Sequence, residues 1–193
     1  MFSPVVYNSI VTPRGGVRGG EVPVKEQKTN VMRILEQRKI AYTPHAYPHG
    51  DAPVDGAAVA ELLGAEPERV FKTLVAVGAS GGHYVFDIPV TRELDLKKAS
   101  KAVGEKHVAL VRVSELNALT GYVRGGCSPV GMKKPFPTVF DASALAWESI
   151  YVSAGKIGAQ VELAPAALIA LVRAKTAEIT DEHADCSAHG DIK

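Results

Sequence analysis

Along the first 27 residues, MFSPVVYNSIVTPRGGVRGGEVPVKEQ, apolar positions follow neither the 3.6-residue period of a helix nor the two-residue period of a strand, and Pro and Gly punctuate the run. This pattern predicts a flexible extension over residues 1–27. From Thr29 the spacing changes, and VMRILEQRK places Val31, Met32 and Leu35 on one side of a helix. IAYTPHAY (Ile40 to Tyr47) then reads as extended, because Pro44 blocks helix. Asp55 is a cap for a second helix, AAVAELL, which Gly64 ends. Thr73 to Val77 and His83 to Val90 flank ASGG and predict a hairpin. LDLKKASKAVG is expected to be a helix stopped at Gly104, HVALV a short buried strand, and ELNALT a helix capped by Ser114. TVFD and IYVS read as strands, and VEL leads to Pro165, which opens a helix over AALIALVRAK. Helices and strands alternate irregularly, so the fold class expected is mixed α/β, α+β-like, with much antiparallel pairing. The folded unit is expected over residues 28–180, with a disordered tail over residues 181–193.

Composition changes this picture little. The chain has 193 residues, 46% of them hydrophobic, which suffices for one sizeable core. With 22 basic and 21 acidic residues the formal net charge is +1, so no global field commits the protein to DNA or to a membrane surface. No apolar run is long enough to span a bilayer, and the first residues lack the order of a secretory signal. The two cysteines, Cys127 and Cys186, lack the spacing of a disulfide framework or a zinc knuckle, and a reducing cytoplasmic location is expected.

The richest candidate chemistry lies in GYVRGGCSPVGMKK, Gly121 to Lys134. Gly126 to Gly131 has the outer spacing of a phosphate loop, but Met132 stands where that loop needs its lysine, and the hydroxyl residue is missing too. Cys127 as a nucleophile needs a base within reach, and no local signature supplies one. The remaining reading is a pocket wall in which backbone N–H groups, exposed by paired glycines and stiffened by Pro129, hold a ligand or an oxyanion. Arg14-Gly15-Gly16 and Arg18-Gly19-Gly20 suggest at most weak RNA contact. His45 and His49 are too far apart along an extended segment to pair on a metal. His183, Cys186 and His189 resemble a metal site only superficially, so neither metal nor cofactor is expected.

Four separated motifs, VFKTL, LDLKKASKAVG, TGYVRGGCSPVGMKK and YVSAGKIGAQVEL, resemble in order those of the YbaK family of free-standing aminoacyl-tRNA deacylases, relatives of the editing domain inserted in bacterial prolyl-tRNA synthetases. IAYTPHAYPH, GYVRGGCSPVG and YVSAGKIG are most similar to the Cys-tRNA(Pro) deacylases of that family. The resemblance covers about Asn30 to Thr180. It implies a curved, partly closed mixed β-sheet surrounded by helices, and an enzyme that takes cysteine off the 3′ aminoacyl end of mischarged Cys-tRNA(Pro), with Cys-tRNA(Cys) as a further substrate. Prolyl-tRNA synthetase is the partner it implies.

The resemblance also implies roles for particular residues. Lys72 matches the family's essential lysine and would bind the phosphate and ribose end of the substrate. Gly125, Gly126, Cys127, Ser128 and Pro129 match the GxxxP loop, whose backbone donors, at Gly125 and Gly126 above all, would hold the oxyanion. Tyr47 matches a pocket tyrosine, and Ser153, Ala154 and Gly155 match the small-residue turn opposite the glycine loop. Lys156 and the basic run Arg124 to Lys134 would touch the acceptor stem. The nucleophile implied is the substrate's own thiol, leaving as a thiolactone. Two positions depart from the pattern: Ala154 stands in place of glycine, and Gln160 in place of an acidic residue. The alternatives are an alanine or serine deacylase using water, a non-catalytic module that binds a tRNA end or a synthetase, and a redox role for Cys127.

Overall fold

The computed structural model of the chain describes residues 28–50 and 54–181. The expectations for the N-terminal extension, its RGG pieces and the His183, Cys186 and His189 tail lie outside those residues. Among the described residues are five α-helices and two sheets. The smaller sheet has the order β1 (Thr43–Ala46), β7 (Ala159–Leu163), β6 (Ile150–Ser153), all antiparallel. The larger has the order β4 (Val108–Leu110), β2 (Phe71–Gly78), β3 (His83–Pro89), β5 (Thr138–Asp141), β8 (Lys175–Ala177). Pairing is antiparallel from β4 to β3 and parallel from β3 through β5 to β8, so the sheet is mixed. A single bridge between Val70 and Tyr151 joins the two sheets.

The local sequence explains most element ends. Thr29 accepts a hydrogen bond from Met32 N at the start of α1 (Asn30–Gln37). Asp55 caps α2 (Gly56–Leu63) and Asp95 caps α3 (Leu96–Val103), each carboxylate accepting backbone N–H groups of the first turn. Gly64 and Gly104 end these helices in the left-handed conformation that favours glycine. Pro165 opens α5 (Pro165–Val172) as expected.

Four local expectations are corrected. α4 (Val113–Thr120) begins two residues early, with Arg112 at the cap and Glu115 reaching back to its N–H, so Ser114 is inside the helix. HVALV is a sheet edge with Leu110 half exposed, because β4 has a neighbour on one side only. β2 starts at Phe71, placing Lys72 inside the strand. α5 stops at Val172, where Arg173 turns left-handed, and Lys175–Ala177 forms a strand in place of the expected last helical turn.

One core fills the space between the sheets. Val152, Val161 and Leu163 of the small sheet meet Phe71, Val75, Val85 and Phe140 of the large one, with Val31 and Leu35 of α1 packed in. The other face of the large sheet, Ala76, Phe86, Ile88 and Val139, is covered by Leu94, Ala99 and Ile179. Strand β3 is therefore buried on both faces, and its one charged residue, Asp87, sits among core residues without exposure.

Candidate active site

A cavity of about 700 Å³ opens where β2 runs past the short edge strand β4 toward the small sheet. That volume is within the usual range of small-ligand sites. Its walls are built from β2 (Phe71 to Val75), the start of α2 (Asp55, Gly56, Val59), the glycine loop (Arg124, Gly125, Cys127) and the small sheet with its flank (Tyr47, Ser153, Gln160). Leu110, Val113 and Leu116 make an apolar rim. The register explains the grouping on the small sheet: Ser153 pairs with Gln160, and β7 carries Gln160 against His45 of β1, so Tyr47, two residues beyond His45, shares that face.

Five of the eleven residues singled out by sequence line this cavity: Tyr47, Lys72, Gly125, Cys127 and Ser153. The Lys72 ammonium donates to Glu93 Oε1 at 2.8 Å; the lysine side chain is about a quarter exposed and its partner three-quarters exposed. An exposed pair of this kind holds with only ~0 to 1 kcal/mol, so a phosphate can displace Glu93. Tyr47 is nearly buried and also packs on Val59, Val70 and Tyr151.

The other six stand behind or outside the wall. Gly126 is where the glycine loop touches the 153–158 turn: a Cβ there would lie 3.1 Å from Ile157 N and 3.2 Å from the Lys156 backbone. Its own N–H donates to Val123 O at 3.0 Å, which removes it from the oxyanion donors expected of the loop. Gly125, at φ +82°, lines the cavity together with Arg124 and Cys127 of the same loop, and having no side chain it can do so only with its backbone. Ser128 is fully buried, and its Oγ accepts from Val130 N, so it shapes the loop; Pro129 is buried beside it. Ala154 is fully buried, and Gly155, at φ +90°, packs 3.0 Å from Tyr122 and Val31 at its would-be Cβ. Lys156 is exposed.

Burial pushes the Cys127 thiol up to about 12, helped by the negative charge of Asp87. At neutral pH it is a thiol and a poor nucleophile. His45 Nε2 donates to the Glu162 carboxylate at 3.0 Å, in a network with Arg69 and Ser149, while His49 contacts Gly50 O; the two histidines serve separate local structures.

Two site features were missed in the sequence. In the sequence Gln160 stands out only as a departure from pattern; in the structure the residue lines the cavity and its Oε1 is buried without a hydrogen-bond partner. Asp87 is the second. It is fully buried behind Thr73, and its signal was a lone acid inside the apolar run YVFDIPV.

The chain belongs to the aminoacyl-tRNA editing domain family, whose model matches residues 53–171. Within that family it is 49% identical, over 155 residues, to a protein of Enterococcus faecalis (strain ATCC 700802 / V583) named as a Cys-tRNA(Pro)/Cys-tRNA(Cys) deacylase, EbsC; the match covers 80% of this chain and 94% of that protein. Solved structures agree. A crystal structure described as a trans-editing enzyme for prolyl-tRNA synthetase superposes with a TM-score of 0.69 at 29% identity, covering 78% of this chain and 94% of that one. The crystal structure of hypothetical protein APE2540 gives 0.71 at 27% identity, covering 78% and 99%. The mixed α/β fold expected from the sequence is the fold of these structures.

Proposed function

We propose that this protein is an aminoacyl-tRNA deacylase that removes cysteine from mischarged Cys-tRNA(Pro), with Cys-tRNA(Cys) as a further substrate. The observation that carries the reading is the cavity itself, in which a lysine, a glycine loop and an unpartnered amide oxygen converge. They suit the three parts of an aminoacyl-adenosine end: phosphate and ribose, ester carbonyl, and α-ammonium. Lys72 takes the phosphate and ribose end, exchanging Glu93 for it. The backbone N–H groups of Gly125 and Cys127 face the ester carbonyl and stabilise its developing negative charge. Gln160 Oε1 accepts from the α-ammonium, and Tyr47 and Ser153 close the amino-acid end.

The protein's own thiol is held protonated, so the nucleophile is the thiol that arrives on the substrate. Such an editing step is needed because a synthetase pocket separates amino acids of similar size by only ~1 to 3 kcal/mol. The domain offers little surface for reading a tRNA body and has a net charge of only +1. Selection of the tRNA is therefore assigned to prolyl-tRNA synthetase as partner.

The test is release of amino acid from tRNA(Pro) charged with cysteine, alanine, serine or proline, with and without prolyl-tRNA synthetase. Cysteine is expected to leave fastest, and faster with the synthetase present. Lys72→Ala is expected to lower kcat/KM by roughly a hundredfold, about 3 kcal/mol. Preferential release of alanine or serine would favour water as nucleophile; binding of charged tRNA with no release would favour a non-catalytic module.

A further inference from the structure

Two buried side-chain oxygens among the described residues lack a hydrogen-bond partner, Gln160 Oε1 and Asp87 Oδ2. The first belongs to a residue that lines the cavity. The second belongs to a carboxyl group with no exposure at all, whose one hydrogen bond is from Thr73 Oγ1 at 2.6 Å. Thr73 is its register partner across β2 and β3, and Thr73 lines the cavity. One hydroxyl therefore stands between a buried carboxyl group and the place where the substrate must lie.

The surroundings of Asp87 offer it no compensating charge. From the glycine loop it faces the Cys127 thiol, which its charge helps to keep protonated. From β5 its register partner is Phe140. On β2 the neighbouring cation, Lys72, is engaged by Glu93. Burial raises the carboxyl to about 8, with only the Thr73 hydrogen bond opposing the rise. A free cysteine thiol titrates at about 8.5, so the two groups compete for a proton on nearly equal terms, the condition under which general base catalysis is most effective. A buried, uncompensated carboxyl group in a cleft wall is costly to folding and is a signature of a working group.

We propose that Thr73 and Asp87 form a proton relay for the reaction, in which the Thr73 hydroxyl takes the proton of the substrate thiol while passing its own to Asp87, and the same path later returns a proton to the departing ribose oxygen. The proposal rests on the cysteine-releasing function inferred above. As the S–H proton leaves, the sulfur pair forms the bond to the ester carbon. Collapse of the tetrahedral adduct breaks the bond to the ribose oxygen, which keeps the electron pair and receives the relayed proton. The products are a tRNA with a free terminal hydroxyl and a cyclic thioester. No water, oxidant or reductant is consumed. Asp87 touches no substrate atom and acts through Thr73. In its ionised form it accepts from the hydroxyl, whose lone pairs then face the cavity; in its protonated form the hydrogen bond reverses and the hydroxyl becomes the donor.

The experiment is single-turnover release of cysteine from Cys-tRNA(Pro) between pH 5.5 and 9 by the full chain and its Asp87→Asn, Thr73→Val and Thr73→Ser variants. Asp87→Asn keeps the shape of the protonated carboxyl group and removes only its ability to ionise, so it is expected to fold and its rate is readable. Asp87→Asn and Thr73→Val should each slow release by about a hundredfold or more at pH 7, the usual worth of a general base. The double variant should be no slower than either single one, and Thr73→Ser should restore most of the rate. The limb of the pH profile set by Asp87 should vanish in Asp87→Asn, leaving a rate that climbs about tenfold per pH unit as the substrate thiol ionises unaided. Wild-type release combined with an unchanged rate and profile in Asp87→Asn would overturn the relay alone. Failure of the wild-type chain to release cysteine from any tRNA would overturn the functional reading, and the relay with it.

Discussion

Cys127 shows how strongly surroundings redefine a side chain. In sequence it is the most conspicuous reactive group of the glycine loop; in the fold it is buried against Tyr122, with its thiol pushed up to about 12 by burial and by Asp87. Its thiolate population near pH 8 is then orders of magnitude below that of a free cysteine. Alkylation by iodoacetamide at pH 8, followed by mass spectrometry of the Cys127 peptide, should run at least about a hundredfold slower than for free cysteine. Fast alkylation would restore the redox and nucleophile readings. Lys72 presents the opposite case. Nothing in its local pattern separates it from a surface lysine, and it was legible only through the VFKTL motif. In the structure it lies inside β2 on the cavity wall, paired with the exposed Glu93. Asp87 and the free oxygen of Gln160 were not legible, because an unsatisfied atom is defined by neighbours distant in sequence.

At the level of elements, caps and stops were readable because they are local: Asp55, Asp95, Gly64 and Gly104 do what their types favour. Sheet order was not, since pairing β3 with β5 and β5 with β8 depends on packing across more than thirty residues. A strand residue and a loop residue each carry a prediction. Asp87, raised from 3.8 to about 8 by burial, stays protonated in the folded chain while the unfolded chain ionises. Its relative contribution to stability is therefore fully present below about pH 4 and is lost as the pH rises to about 8, at up to ~1.4 kcal/mol per pH unit. The melting temperature of Asp87→Asn should match wild type near pH 4 and exceed it increasingly up to pH 8; a constant difference would mean that Asp87 is not buried as described. Gly126→Ala tests the backbone contact between the glycine loop and the 153–158 turn. A methyl 3.1 Å from Ile157 N forces the two apart by a few tenths of an ångström, so about 1 to 3 kcal/mol of stability should be lost in urea titration, with a larger fractional loss of activity than of folded protein. Wild-type stability and rate would show that the loops are not in contact.

As a whole, the molecule places a cavity between two sheets that share one core, so that the wall segments come from β2, α2, the glycine loop and the small sheet together. The fold class followed from the irregular alternation of helix and strand patterns, and the family from motifs spread over most of the chain. The cavity could not be read in advance, because it exists only where a long strand outruns its short neighbour. No helix among the described residues is long and apolar enough to cross a membrane. The central claim is that the substrate's thiol opens its own ester, and it is tested most directly by comparing single-turnover rates for Cys-tRNA(Pro) and S-methylcysteinyl-tRNA(Pro). The methyl group blocks the nucleophile with little change in size. A fall of about a hundredfold or more is predicted; comparable rates for the two esters would mean that water attacks, and would contradict the account.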